Sequence, residues 1–158
     1  RRDVEVPALL EDMAREMKAI VDDADQRIEI VIEDGVSTVN VDPDRLRHVF
    51  INLLSNASKY SPEGGVITLY ARPGGDGVVR FGVRDQGPGI PEESQRAVFE
   101  KFYRVPNQTR KGAGLGLTIA REIVLEHGGA IGCTSKLGQG SDFYFLIPVN
   151  ASEEMAAD

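Results

Sequence analysis

Asn52-Leu53-Leu54-Ser55-Asn56-Ala57-Ser58-Lys59-Tyr60 closes a helix that the residue pattern predicts from about Asp44 to Tyr60. At about 100° per residue, Leu46, Val49, Phe50, Leu53, Leu54 and Ala57 share one broad face. That face is ordinary core packing. Asn52, Asn56 and Lys59 form a second, narrow stripe, joined upstream by His48 and Arg45. Two amides at i and i+4 with a lysine three further on can turn carbonyl oxygens and a cation towards one ligand. That set suits a magnesium-bound polyphosphate, because the oxygen coordinates the hard metal and the ammonium faces phosphates. The competing reading is a solvated helix face.

Working outward, Asp42-Pro43-Asp44 opens this helix with an aspartate cap, and Ser61-Pro62-Glu63-Gly64-Gly65 ends it. Upstream, Leu9, Leu10, Met13, Met17, Ile20 and Val21 recur at helical spacing, predicting a helix from Val6 to about Asp25. Arg27 to Glu33 alternates around Ile28, Ile30 and Ile32 and reads as a strand. Ser37 to Val41 reads as a second. Downstream, strands over Val66–Arg72 and Val78–Arg84 flank a loop, Pro73-Gly74-Gly75-Asp76-Gly77. Glu92 to Phe99 reads as a short helix, and Val105 to Gly112 as a mobile loop. Gly114 to about His127 is helical, broken by Gly128-Gly129. Strands over Ile131–Ser135 and Phe143–Val149 follow, and residues 151–158 read as a frayed tail. Helices mixed with largely antiparallel strands predict an α/β two-layer sandwich, with the helices on one face of a mixed sheet.

Composition narrows the functions. The 158 residues suit one domain, expected over 1–150, large enough to bury roughly 70% of its unfolded surface. A net charge of −7 disfavours general affinity for nucleic acid or anionic membrane. Cys133 is the only cysteine, so an internal disulfide or cysteine metal cluster is excluded. No apolar run approaches the roughly 20 residues of a membrane-spanning helix. The expected location is cytoplasmic. The chain begins Arg1-Arg2 without methionine and reads as an excerpt of a longer protein.

Two glycine motifs carry further chemistry. Asp85-Gln86-Gly87-Pro88-Gly89-Ile90 follows a strand. A carboxylate at a strand end can accept from an exocyclic amine, and glycines let the chain turn sharply and a ring approach closely. The alternative is plain turn chemistry. Gly112-Ala113-Gly114-Leu115-Gly116-Leu117 opens a helix, where exposed backbone N–H groups make an anion site. It follows a polar loop instead of a strand, unlike a dinucleotide-binding fingerprint, and lacks the Gly-Lys-Ser/Thr of a P-loop. A glycine-rich hinge is the alternative. The conjunction of these motifs within about 90 residues, in this order, weighs more than any one of them.

Taken together the motifs resemble the catalytic and ATP-binding domain of sensor histidine kinases, within the superfamily that also holds gyrase, heat-shock chaperone and mismatch-repair ATPases. Asn52 to Tyr60 resembles the N box, Asp85 to Ile90 the first glycine box, and Phe99-Glu100-Lys101-Phe102-Tyr103-Arg104 the F box. Gly112 to Leu117 resembles the second glycine box, and Gly138-Gln139-Gly140-Ser141-Asp142-Phe143 the last, with serine where threonine is usual.

The resemblance implies the Bergerat fold, ATP and Mg²⁺ as ligands, and a lid between Arg104 and Gly114. It implies Asp85 on the adenine amine with Gly87 and Gly89 shaping the turn, Asn56 on Mg²⁺, and Asn52, Lys59 and Arg104 on phosphates. Tyr60 and Ile90 would pack on the base, and Tyr103 of the F box would also belong to the nucleotide site. Gly112, Gly114, Leu115, Gly116 and Leu117 would face the phosphates, and Ser141 would lie near the adenine.

The resemblance also separates two activities. Hydrolytic members of the superfamily carry a glutamate one turn before the metal asparagine, to activate water. Here that position is Asn52, and an amide takes no proton from water. The expectation is a histidine kinase module that hydrolyses ATP slowly, against the alternatives of a switch ATPase, a protein serine kinase or a nucleotide-sensing module. Its partners would be phosphoacceptor and dimerisation helices of the parent protein, upstream of Arg1, and a response regulator. A membrane anchor elsewhere in the parent is compatible with this reading, which expects no membrane contact by this domain. His48, on the polar stripe, and His127, at a helix end where a cation favours the dipole, are both read as structural, so the isolated chain should not autophosphorylate.

Overall fold

A computed structural model describes residues 1–89, 114–136 and 138–149. The expected short helix at Glu92–Phe99, the F-box segment, the loop from Val105 to Gly112 and the tail lie outside the described residues. The elements run β1 (Arg2–Glu5), α1 (Val6–Asp23), β2 (Arg27–Ile32), β3 (Thr38–Val41), α2 (Pro43–Tyr60), β4 (Val66–Gly75), β5 (Val78–Asp85), α3 (Gly114–Glu126), β6 (Ala130–Lys136) and β7 (Gly140–Pro148).

Five strands form one sheet in the order β2-β4-β5-β7-β6. Only β2 and β4 run parallel, since α2 lies between them in the chain; the other neighbours are antiparallel. α1 packs on β2 and α2, α2 on β5 and α3, and α3 on β6. The expected two-layer α/β sandwich, helices on one face of a mixed sheet, is what forms. Its core follows from period: Leu46, Val49, Phe50, Leu53 and Leu54 of α2 are wholly buried. They meet Ile67 and Leu69 of β4, Phe81 and Val83 of β5, and Phe145 of β7 in one cluster. Phe50 sits edge-on to Phe81 at 5.4 Å and to Phe145 at 5.1 Å between ring centres, the preferred geometry for aromatic pairs.

Three features depart from the sequence reading. β1, four mostly polar residues, pairs antiparallel with β3 from Arg2↔Val41 to Glu5↔Thr38, and no periodicity announces it. The β4–β5 loop is shorter than expected. The strands continue to Gly75 and restart at Val78, leaving Asp76-Gly77 as the turn. A register shift between Pro73 and Gly75 absorbs the extra residue, a place where a proline without N–H is tolerated in a ladder. The last hairpin is also longer than expected. β6 reaches Lys136, and β7 starts at Gly140, bringing Ser141 into register with Asp85.

Candidate nucleotide site

α2 starts as expected. Asp42 accepts from the backbone N–H groups of Asp44 at 3.1 Å and Arg45 at 3.3 Å, capping the first turn. The polar stripe then divides in two. Upstream, Arg45 is ion-paired with Glu126 of α3 and His48 is exposed, so this half serves helix packing and solvent. Downstream, Asn52 is half-buried, Asn56 is buried and Lys59 is exposed. The Oδ1 of Asn56 is buried and accepts no hydrogen bond from the described protein atoms. An orphaned buried acceptor costs about 1–3 kcal/mol, and such an atom calls for a partner that folding alone does not supply. A carbonyl oxygen in that state fits a hard cation that takes oxygen donors. Among the described residues no group of three His, Cys, Asp or Glu could hold a metal ion. A cation here would therefore draw its other donors from a ligand and from water.

Asp85 lies at the end of β5, in register with Ser141 of β7, and is buried. Its Oδ1 accepts from the Gly87 N–H at 2.9 Å. Burial pushes its carboxyl up to about 6, against the opposing pull of the Gly87 and Ser141 backbone donors, and the nearby Asp142 charge adds to the rise. The site thus holds an acceptor that is mostly charged at neutral pH but has lost much of its hydration. Asp85 and Ser141 line a cleft of about 330 Å³ with Arg84, Thr134 and Gly140; Asn52, Asn56 and Lys59 do not line it.

Glycines let the surrounding turns close up. A Cβ on Gly87 would stand 2.5 Å from the carbonyl oxygen of Tyr60, so the end of α2 and the Asp85 turn touch only because position 87 is glycine. A Cβ on Gly140, at φ +92°, would collide with the Asp85 carbonyl. The Gly138 N–H donates to the Pro88 carbonyl at 2.7 Å, tying the β6–β7 turn to the same loop. Gly89 takes φ +81°, the left-handed region that favours glycine.

The structure therefore brings the last residue of α2, through the Tyr60 carbonyl, against Gly87 of the Asp85-Gln86-Gly87 turn, and sets Ser141 in register with Asp85; Asn56 and Lys59 lie one turn or less before that contact on the same helix. The first turn of α3 begins at Gly114, with Gly116 within it; Leu117 turns its side chain into the core. Ile90, Tyr103, Arg104 and Gly112 lie outside the described residues, as does the contribution of the lid.

Two residues near the site, Ser135 and Gln26, escaped the sequence reading. Ser135 Oγ donates to the Gly140 carbonyl at 2.8 Å and lies 3.0 Å from Ser141 Oγ. Gln26 is buried against the end of α2. His127, read as structural at a helix end, is buried and ties α3 to the start of α2. Its Nδ1 donates to the Ile123 carbonyl at 2.9 Å, and its Nε2 accepts from the Asp42 N–H at 3.1 Å. Both nitrogens are spent on structure. Only Gln26 has a sequence signal, the proline at position 62, taken up below.

Residues 41–151 match the profile of the histidine kinase-, DNA gyrase B- and HSP90-like ATPases. The chain is 37% identical over 148 residues to the adaptive-response sensory kinase SasA of Synechococcus sp. (strain JA-2-3B'a(2-13)), covering 93% of this chain and 39% of that protein. It therefore spans about two fifths of the curated relatives it matches. Among solved structures, the mycobacterial sensor histidine kinase MprB superposes with a TM-score of 0.82 at 27% identity, over 93% of this chain and 97% of that one. Full-length ShkA in complex with AMPPNP gives 0.81 at 35% identity, over 92% and 30%. The histidine kinase ThkA in complex with the response regulator protein TrrA gives 0.75 at 28% identity, over 93% and 41%. No helix among the described residues is long and apolar enough to cross a membrane. With the orphaned Asn56, the buried Asp85 and the glycine-knit turns all inside the matched span, the chain belongs to the histidine kinase-, DNA gyrase B- and HSP90-like ATPase family, as a domain of the sensor histidine kinase type.

Proposed function

We propose that this domain binds Mg²⁺-ATP and presents its γ-phosphoryl group to a histidine on phosphoacceptor helices elsewhere in the parent protein. A response regulator would then take up the phosphoryl group. The single observation that carries this reading is the buried, unpartnered Oδ1 of Asn56, one helical turn after an amide at position 52.

Asp85 accepts from the adenine amine, in a turn that Gly87 keeps open to the base. Asn56 offers its orphaned oxygen to the metal ion. Held there, Mg²⁺ would supply screening of the phosphate charge. Lys59 and Arg104 place cations on the phosphates, Asn52 donates an amide N–H, and the first turn of α3 adds backbone N–H groups from Gly114 to Leu117. Tyr60 and Ile90 would pack on the base, Tyr103 would join the nucleotide site, and Ser141 stands in register with Asp85. Phosphoryl transfer needs positioning and charge stabilisation more than covalent help from the protein, and these residues offer both. Asn52 offers no base to water, which favours transfer over hydrolysis. The relative ShkA was solved with AMPPNP and ThkA with a response regulator, which supports the same assignment by analogy. A cytoplasmic location, where ATP is abundant, follows from the reading.

The test is one incubation with γ-labelled Mg²⁺-ATP, with and without phosphoacceptor helices supplied as a separate fragment of a parent kinase. Intact ATP should stay with the chain, and label should reach only the added helices. Rapid steady phosphate release by the chain alone would replace the kinase reading with a switch ATPase.

A further inference from the structure

We propose that Gln26 is a positioning residue for the nucleotide site, holding the C-terminal turn of α2 so that Asn56, Lys59 and Tyr60 are fixed before ligand arrives. The inference rests on the nucleotide-binding reading above. It starts from a gap in the backbone. In a helix the carbonyl of Ser58 would accept from the N–H of residue 62, but residue 62 is proline and has none. The preceding carbonyl, Ala57, still receives the Ser61 N–H at 2.9 Å. The Gln26 carboxamide fills the gap from outside. Its Nε2 donates to the Ser58 carbonyl at 2.9 Å and to the Ser61 carbonyl at 3.1 Å, with the Pro62 carbonyl at 3.4 Å. Its Oε1 accepts from the Ser58 hydroxyl at 2.7 Å. One side chain, 6% exposed, thus satisfies the end of the helix through both halves of its amide.

The grip is anchored on its own side. The Gln26 N–H donates to the Val21 carbonyl at 2.8 Å, and Asp25 adopts φ +55° to aim the chain. Two further bonds run between the same segments, Gly64 N–H to the Asp25 carbonyl at 2.8 Å and Arg27 N–H to the Gly65 carbonyl at 3.2 Å. The turn's own side chain does not take this role, for Ser61 Oγ is buried without a partner among the described residues. Lys59 and Tyr60 lie inside the clamped stretch and Asn56 two residues before it. The Tyr60 carbonyl bears on Gly87 beside Asp85. A helix end free to fray would spread these side chains over several positions, and their ordering would then be charged to binding.

Gln26→Met keeps length and volume and removes the donors. Titration calorimetry with Mg²⁺-ATP would compare the wild type, Gln26→Met, Ser58→Ala and a control, Ile147→Ala, which opens a core cavity at the end of β7 away from Ser141 and lowers the melting temperature without removing any Gln26 hydrogen bond. The expected result is a Kd raised at least fivefold by Gln26→Met and about twofold by Ser58→Ala, with Ile147→Ala within twofold of wild type at a temperature where all are folded. A Gln26→Met Kd within twofold of wild type, or no greater than that of Ile147→Ala, would overturn the positioning role. Should Gln26→Met not fold, Ser58→Ala decides: an unchanged Kd sinks the inference. Absence of binding by the wild type itself would instead remove the nucleotide reading on which it rests.

Discussion

The backbone N–H of Asp42, the residue that caps α2, donates to Nε2 of His127 just beyond the end of α3, at 3.1 Å and across 85 positions of sequence. The ring's other nitrogen donates to the Ile123 carbonyl. The two helices that frame the candidate site are thus fastened at one end through a buried ring. His127→Leu keeps the bulk and deletes both bonds, leaving the Asp42 N–H without its acceptor. The expected loss is about 1–3 kcal/mol, read as a lower denaturation midpoint with unchanged slope. The variant should still pass label to added phosphoacceptor helices, since a ring with both nitrogens occupied is no phosphate carrier.

Asn56→Ala should separate stability from binding. Removing an orphaned buried acceptor relieves a desolvation cost, at the expense of a small cavity. The nucleotide-free variant is therefore expected within about 1 kcal/mol of wild type. Its affinity for Mg²⁺-ATP should fall at least tenfold, and the residual binding should no longer depend on Mg²⁺. Thermal melts with ATP, with and without the metal, read both quantities. A large loss of stability in the absence of ligand would mean that Asn56 is a structural residue.

Asp85 carries a sign that can be worked out. Its carboxyl titrates at about 6 in the fold, against about 4 when the chain is unfolded. The folded state therefore holds the proton more tightly than the unfolded one. The stability this confers is fully present below about pH 4 and is lost as pH rises through about 6. At neutral pH the buried charge costs about 3 kcal/mol as an upper figure. Asp85→Asn should then be as stable as wild type or more so at pH 7.5, with the advantage shrinking towards pH 4.5. ATP affinity runs the other way. In wild type it should weaken as pH falls below about 6 and the acceptor becomes protonated; in Asp85→Asn it should be low throughout. Denaturant titrations at the two pH values, beside binding isotherms, give the comparison.

How far the sequence carries depends on how local each cause is. The core face of α2 was legible because Leu46, Val49, Phe50, Leu53 and Leu54 repeat at helical spacing, and all five are buried. The stripe was legible as a stripe, but its division was not. Arg45 belongs to packing because Glu126 meets it from α3, a partner 81 positions away. β1 was invisible because Arg2-Asp3-Val4-Glu5 has no alternation to read; its strand exists through pairing with β3. A structural role for His127 was legible from its place at a helix end, but its partner was not, because the helix dipole is local and the Asp42 N–H lies 85 positions away. Gln26 lies between these cases. Its bond to Ser58 is long-range, yet Pro62 already announced a carbonyl in want of a donor. For the binding residues the glycines were the better guide, since Gly87 and Gly140 mark where backbone meets backbone.

Asn52 bears on the choice between transfer and hydrolysis. It sits one turn before Asn56, half-buried on the same side of α2. A carboxylate there would stand where the family resemblance places the water-activating glutamate. Asn52→Glu is nearly isosteric apart from one methylene, and the position is open enough to accept it. On the proposed function the change would supply a general base beside the phosphates, and such a base contributes typically 10²–10⁴-fold when well placed. The gain in steady phosphate release is expected to be at least about tenfold. Transfer to added phosphoacceptor helices should fall in parallel, because hydrolysis drains the same bound nucleotide and the new charge opposes the phosphates. A continuous phosphate assay beside label incorporation would follow both. If phosphate release stays at the wild-type rate while ATP remains bound, the identity of residue 52 is not what separates the two activities, and the lid geometry would be the place to look.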